Sequence, residues 1–140
     1  MSDEQSQRRV QQVQDGLEAF RRGDRDAVLA FFSEDIEVYS PPEAGNAGTF
    51  HGHDGYEQWL AQWLEAWEGF EVEAQRIEAV GEHHVVAETF QTARGRGSGV
   101  PVEQRMSYVF DLRDGKVVAF HLYPTWEAAI EVAKRREREN

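Results

Sequence analysis

The stretch from Val102 to Tyr123 constrains the fold of this chain most, because it predicts a long antiparallel hairpin with one buried face. Its first arm alternates apolar and polar residues, which is the period-two pattern of a half-buried strand. Asp114-Gly115 is typical of a type I′ turn, in which both central residues have positive φ. The apolar residues of the predicted inner face are Met106, Tyr108, Phe110, Leu112, Val118, Phe120 and Leu122. Other elements must cover that face, because an isolated hairpin is marginally stable.

The flanking segments predict three helices before this hairpin and one after it. Apolar residues recur at helical spacing in residues 10–20, 27–32 and 59–67, and again in the C-terminal segment. Two further strands separate the third helix from the hairpin, and a change in the parity of their apolar residues near Gln75-Arg76 predicts a β-bulge. A short strand ends at Pro41-Pro42 and leads into an irregular loop. We predict one domain over residues 1–140, with residues 1–7 disordered and residues 134–140 forming a charged helical tail.

Composition and charge argue against several classes of function. The formal net charge is -11, which repels phosphate backbones and anionic lipids, so we expect neither nucleic-acid nor membrane binding. The chain has no cysteine, which removes disulfides, thiolate catalysis and thiolate metal sites. No stretch has the apolar character of a signal peptide or a membrane span, and we therefore expect a cytoplasmic location.

The order of these elements and three segments of sequence resemble the SnoaL-like branch of the nuclear-transport-factor-2-like superfamily. The segments are FRRGDRDAVLAFFSEDIEV, TFHGHDGYEQWLAQW and LRDGKVVAFHLY. The branch includes polyketide cyclases, ketosteroid isomerase and limonene epoxide hydrolase. The resemblance implies an α+β fold with a cone-like, curved antiparallel or mixed sheet. Three helices from the N-terminal half and a C-terminal helix would wrap this sheet around an apolar pocket, and many such proteins form dimers through the outer sheet face.

The resemblance does not supply the charged groups of the known family reactions. The isomerase-like members need a carboxylate base at a position that Ser40 occupies here, and a serine is not a base near neutral pH. Tyr108 stands where those members have a protonated acid. The water-activating relay of the epoxide hydrolases falls on Thr89, Gln91 and Leu122, and the acid of the cyclases also falls on Leu122. Whether the chain is an enzyme therefore stays open.

Strand alternation directs apolar and neutral polar side chains toward the predicted pocket, and indoles of the third helix add an aromatic wall. These residues are Val38, Ser40, Trp59, Trp63, Thr89, Gln91, Gln104, Met106, Tyr108, Phe120 and Leu122. Such a lining suits a small, largely apolar ligand with a carbonyl or a hydroxyl. Alternatively, the indoles pack as ordinary core residues and the polar groups pair with one another. We expect no cofactor.

The histidines give one metal hypothesis and one hypothesis for a base. His51, His53 and Asp54 could form a metal cluster, but no further ligand is spaced to complete a coordination shell, so we expect a capping or surface role and no metal. His121 falls on the outer face of the hairpin by alternation. A shift of one residue in register would instead make it a strand base in the pocket.

The outer sheet face predicts a homodimer, because left in water it would expose an apolar patch unusual for a monomer. The residues of this predicted interface are Phe90, Val109, His121 and Tyr123. The leading hypothesis is therefore a dimeric SnoaL-like domain that binds a small hydrophobic molecule. One alternative is an isomerase, cyclase or hydrolase that uses Tyr108 with His121 or Glu43. The other is a homodimeric interaction module with a vestigial cavity.

Overall fold

The computed structural model describes residues 3–43 and 46–139, which build four helices and a six-stranded curved sheet. The helices are α1 (Asp3–Arg21), α2 (Arg25–Phe31), α3 (Gly52–Ala66) and α4 (Trp126–Arg138). The strands are β1 (Phe32–Ser40), β2 (Gly48–His51), β3 (Trp67–Val80), β4 (His84–Gly95), β5 (Pro101–Arg113) and β6 (Lys116–Tyr123). Their order is β2-β1-β6-β5-β4-β3, and β1 and β6 run parallel while the other neighbours are antiparallel. The predicted α+β fold is confirmed.

The sheet carries one core on each face, as the alternation along β5 requires. Tyr108 and Phe110 join the larger core, which α1, α2 and α3 cover on the inner face of the sheet. Val109 points the other way and packs with Ala129 and Ala133 of α4 in a smaller core on the outer face. Within residues 3–43 and 46–139, no helix combines the length and the apolar character that crossing a bilayer requires.

The central hairpin forms as predicted at its turn and differs in one arm. Asp114 and Gly115 have φ of 52° and 77°, the two positive values that a type I′ turn needs. The register between β5 and β6 shifts after Asp111, so that Leu112 pairs with Val117. Because of this shift, Val117 packs in the larger core and the predicted inward position of Val118 is wrong.

β3 lies at one edge of the sheet and is bent by the predicted bulge. Its register against β4 shifts between Ala74 and Arg76, which confirms the change in apolar parity seen in the sequence. The strand begins earlier than expected, because α3 ends at Ala66 and Trp67 already has extended φ and ψ of -128° and 142°. Trp67 is therefore a strand residue, although the spacing of the tryptophans predicted that it continues the helix.

The N-terminal segment is more ordered than its polar composition predicted. α1 already begins at Asp3, and acidic side chains in a first turn interact favourably with the helix dipole. Arg9 adds a tether, since its Nη2 donates to the Gly81 carbonyl at 3.0 Å and to Ser6 Oγ at 3.4 Å. Residues 1, 2 and 140 lie outside the described residues. Strand β2 was not predicted, because four residues after a proline-rich loop carry little periodicity.

Candidate functional site

Two adjoining cavities lie between the inner sheet face and the three helices that cover it, and we call them together the chamber. The apolar cavity has a volume of about 50 Å³. It is lined by Gly16, Leu17, Phe20, Val28, Phe31, Phe32, Tyr56, Trp59, Phe70, Val72, Tyr108, Phe110 and Phe120. The polar cavity has a volume of about 20 Å³. It is lined by Ser40, Asn46, Trp59, Trp63, Phe70, Gln91, Gln104, Met106, Tyr108 and Leu122.

Most residues of the predicted pocket line one of these cavities. Those that line the polar cavity are Ser40, Trp59, Trp63, Gln91, Gln104, Met106, Tyr108 and Leu122. Phe120 lines the apolar cavity, whereas Val38 and Thr89 are fully buried nearby and line neither. Their part in ligand binding stays a prediction.

Sequence reasoning missed several lining residues. Tyr56 precedes Trp59 by one helical turn, so the stripe of α3 could have included it. Phe70 shares parity with Val72 on β3 and lines both cavities. Asn46 belongs to a loop, where no periodicity indicates which side chains turn inward.

A hydrogen-bonded network crosses the wall of the polar cavity from β5 to β4. Gln104 Nε2 donates to Gln91 Oε1 at 2.8 Å. Gln91 Nε2 in turn donates to the Tyr108 hydroxyl at 2.6 Å and to Thr89 Oγ1 at 3.2 Å. Thr89 Oγ1 completes the chain by donating to the Met106 carbonyl at 2.7 Å. This network fixes the orientation of each member, as satisfied buried networks do.

Four other polar atoms of the polar cavity have no hydrogen-bond partner among the described residues. They are Ser40 Oγ, Asn46 Oδ1, Trp59 Nε1 and Trp63 Nε1, and all four are buried. Asn46 is held in place because its Nδ2 donates to the Trp59 carbonyl at 2.9 Å. Leaving a buried polar group unpaired costs about 1–3 kcal/mol, so such groups are uncommon in native proteins. Here the residues that carry two indole donors, an amide acceptor and a hydroxyl all line one small cavity.

The ionisable side chains that line the chamber, within the described part of the chain, are two tyrosines. Burial raises the pKa of Tyr108 well above its ordinary value, and hydrogen bonds with Thr89 and Gln91 offset this only in part. Burial likewise raises the pKa of Tyr56. Both hydroxyls therefore keep their protons at neutral pH and can donate hydrogen bonds, but neither can serve as a general base.

His121 lies on the outer face of the sheet, as strand alternation predicted. Tyr108 lies on the opposite face, so the predicted reaction that uses these two residues together is wrong. Its Nε2 is 2.8 Å from Glu37 Oε2, and its Nδ1 is 3.4 Å from the Tyr123 hydroxyl. Burial lowers the pKa of His121, with a contribution from Arg136 that Glu37 opposes only in part. Glu43, the other predicted base, is exposed in a turn.

The outer face does not expose the apolar patch from which a dimer was predicted. Val109 is 2% exposed beneath α4, and His121 is 5% exposed. The patch argument is therefore wrong for these two residues, because the C-terminal helix and neighbouring side chains already cover them. Phe90 and Tyr123 remain partly exposed. The homodimer itself stays a prediction.

The histidines near α3 have local structural roles. α3 begins at Gly52, and neither His53 nor Asp54 caps it: His51 takes the N-cap position without a side-chain hydrogen bond. His53 Nε2 lies 3.1 Å from the Phe32 carbonyl and bridges α3 to β1. Across residues 3–43 and 46–139, no group of three or more His, Asp or Glu side chains is arranged to hold a metal ion.

Comparison with known proteins points to one family. The sequence profile of the SnoaL-like domain matches residues 13–120. No curated protein matches the chain in sequence. An NTF2-like protein from Burkholderia xenovorans is 29% identical and superposes with a TM-score of 0.69, covering 92% of this chain and 97% of its own.

Two similar solved structures contain small molecules. TerC, co-crystallised with polyporic acid, is 20% identical and has a TM-score of 0.73, with coverage of 89% of this chain and 97% of its own. A protein with a ketosteroid isomerase-like fold from Catenulispora acidiphila, in complex with trimethylamine, is 17% identical and has a TM-score of 0.69. Its match covers 86% of this chain and 89% of its own. At these identities, both structures bear on the fold alone.

Proposed function

The chain belongs to the SnoaL-like domain family, and we propose that it binds a small, largely apolar molecule with a carbonyl or hydroxyl group in the chamber. The observation that carries this proposal is the set of four unpaired polar atoms around the polar cavity. A ligand that hydrogen-bonds to them would recover the free energy that their burial costs. The small molecules bound by TerC and by the Catenulispora protein, on the same fold, support the proposal.

The chemistry of the four atoms suggests how a ligand would lie. A ligand carbonyl oxygen would accept from the indole N–H groups of Trp59 and Trp63, and a ligand hydroxyl would donate to Asn46 Oδ1. The aromatic apolar cavity next to it would take the hydrocarbon part. We propose binding without turnover, because the chamber lining offers no carboxylate or imidazole in the described residues. A cytoplasmic location belongs to the same proposal.

Ligand binding would have to move aromatic side chains. The two cavities measure about 50 and 20 Å³, whereas ligand pockets usually hold about 300–1,000 Å³. Trp59 lines both cavities together with Phe70 and Tyr108, and of these three it carries the unpaired indole N–H. This side chain is therefore the expected reporter of binding.

The proposal is tested with a matched pair of probes, acetophenone and cumene, which differ chiefly in the carbonyl group. We expect acetophenone to bind about tenfold more tightly, since one hydrogen bond contributes about 0.5–1.5 kcal/mol. In ¹⁵N-resolved NMR spectra it should shift the indole signals of Trp59 and Trp63. Trp63→Phe should weaken the preference for acetophenone, because it removes one of the two indole donors. Trp126→Phe is the matched control, because Trp126 is the first residue of α4 and packs against the smaller core on the outer face.

Equal affinity for the two probes, or the absence of saturable binding by either, would contradict the proposal. The latter result would favour a second candidate, an interaction module whose cavity is vestigial. The observation behind this second candidate is the small volume of the chamber.

A further inference from the structure

An open surface cleft of about 510 Å³ lies apart from the chamber and shares no lining residue with it. Its walls come from the first half of α1, the turn after β3 and the turn of the central hairpin. Three arginines line it: Arg8, Arg9 and Arg113. Arg8 and Arg9 come from α1, whereas Arg113 is the last residue of β5.

The acidic residues of this chain outnumber its lysines and arginines, 26 against 15. Yet Arg8 and Arg9 form no salt bridge with any described residue. Arg113 differs, because its Nε donates to Asp111 Oδ1 at 2.9 Å. The cleft also contains the carboxylates Glu82 and Asp114.

Two buried nitrogens of the cleft residues lack a hydrogen-bond partner within the described ranges. They are Arg9 Nε and His83 Nδ1. Arg9 is held in position through its Nη2, which donates to the Gly81 carbonyl at 3.0 Å. The backbone N–H of His83 donates to Glu137 Oε2 at 2.9 Å. The Arg9 side chain is thus anchored at Nη2 with its Nε left without a hydrogen bond, whereas His83 Nδ1 lies 3.8 Å from Glu137 Oε2.

We propose that this cleft binds a hydroxylated phosphate monoester, of the chemical class of the sugar phosphates. Guanidinium groups bind phosphate through paired, charge-assisted hydrogen bonds, and Arg8 and Arg9 are not engaged by carboxylates. The cleft is much larger than a phosphate group, so its remaining volume accommodates an organic part. Glu82 and Asp114 can accept hydrogen bonds from the hydroxyl groups of that part.

The test is a titration of the full chain with glucose 6-phosphate, inorganic phosphate and glucose at constant ionic strength, followed by calorimetry and by NMR. We expect glucose 6-phosphate to bind saturably, inorganic phosphate to bind more weakly, and glucose not to bind. Arg8→Gln and Arg9→Gln should each weaken the binding of glucose 6-phosphate by about tenfold or more, as the loss of a charge-assisted hydrogen bond predicts. Arg21→Gln is the matched control on the same helix, because Arg21 pairs with Glu18 outside the cleft.

Three results would overturn the proposal. The first is the absence of saturable binding of glucose 6-phosphate to the wild type. The second is wild-type affinity in a folded Arg8→Gln variant, which remains testable if Arg9→Gln does not fold, since Arg8 is exposed. The third is equal affinity for inorganic phosphate and glucose 6-phosphate. It would show that the cleft recognises the phosphate group alone and not a hydroxylated phosphate monoester.

Discussion

Removing the hydroxyl of Ser40 should stabilise the protein, although truncating a buried side chain usually has the opposite effect. Ser40 is 1% exposed and its Oγ has no partner among the described residues. A buried unpaired hydroxyl costs about 1–3 kcal/mol, and Ser40→Ala removes that cost. The variant enlarges a cavity of about 20 Å³ by one oxygen atom, and at about 24 cal/mol per Å³ of cavity the penalty stays below about 0.5 kcal/mol.

We therefore expect Ser40→Ala to raise the free energy of unfolding by about 1 kcal/mol, which corresponds to about 3 °C in Tm for a domain of this size. Urea unfolding of the wild type and the variant, without added ligand, measures this change in the free energy of unfolding. Thr89→Val is the matched control, because the Thr89 hydroxyl is equally buried but donates to Met106 and accepts from Gln91. That variant should lose about 1–3 kcal/mol. If Ser40→Ala is destabilised as Thr89→Val is, Ser40 has a partner and the reasoning from unpaired atoms fails.

Three further outcomes follow from the packing. Leu122→Ala should lose about 2–5 kcal/mol in urea unfolding, because Leu122 is 4% exposed; a loss below about 1 kcal/mol would contradict its burial. His121 has a lowered folded pKa, so the unfolded state binds its proton more readily and stability should fall as pH drops below the ordinary value of 6.5. Unfolding measured at about pH 7.5 and about pH 5.5 should show this fall in the wild type and a smaller one in His121→Gln. Glu137→Ala should lose about 2–4 kcal/mol, since Glu137 accepts from the amides of Glu82 and His83 at 3.1 and 2.9 Å and lies 2.5 Å from His84 Nδ1. Faster hydrogen exchange in α4 would accompany that loss, and unchanged exchange would contradict the role of Glu137 in holding the helix.

Local patterns predicted the features that depend on neighbours in sequence. The two-residue period of β5 directs Tyr108 inward and Val109 outward, because successive side chains of a strand point to opposite faces. The turn at Asp114-Gly115 follows from the residues that tolerate positive φ. These features determine which side chains form the inner face of the sheet, and the polar cavity lies against that face.

Features that depend on distant contacts were not predictable in this way. Val109 looked like a surface residue because nothing in β5 shows that α4 covers it. Trp67 fits the helical spacing of Trp59 and Trp63, yet it pairs with Gly95 of β4 as the first residue of a strand. The position of Asn46 depends on its hydrogen bond to the Trp59 carbonyl, which no sequence period encodes.

The unpaired edge of β3 has a consequence for how these molecules behave in concentrated solution. A 14-residue strand at a sheet edge presents backbone groups that could pair with the same edge of another molecule and extend the sheet from one chain to the next. The bulge between Ala74 and Arg76 bends this edge, and exposed carboxylates at Glu71, Glu73 and Glu78 lie along it. Bends and repelling charges are the means by which natural sheets resist such edge-to-edge growth. Acid would protonate these carboxylates and leave the bend as the remaining protection, so stacking of chains into aggregates should begin at this edge.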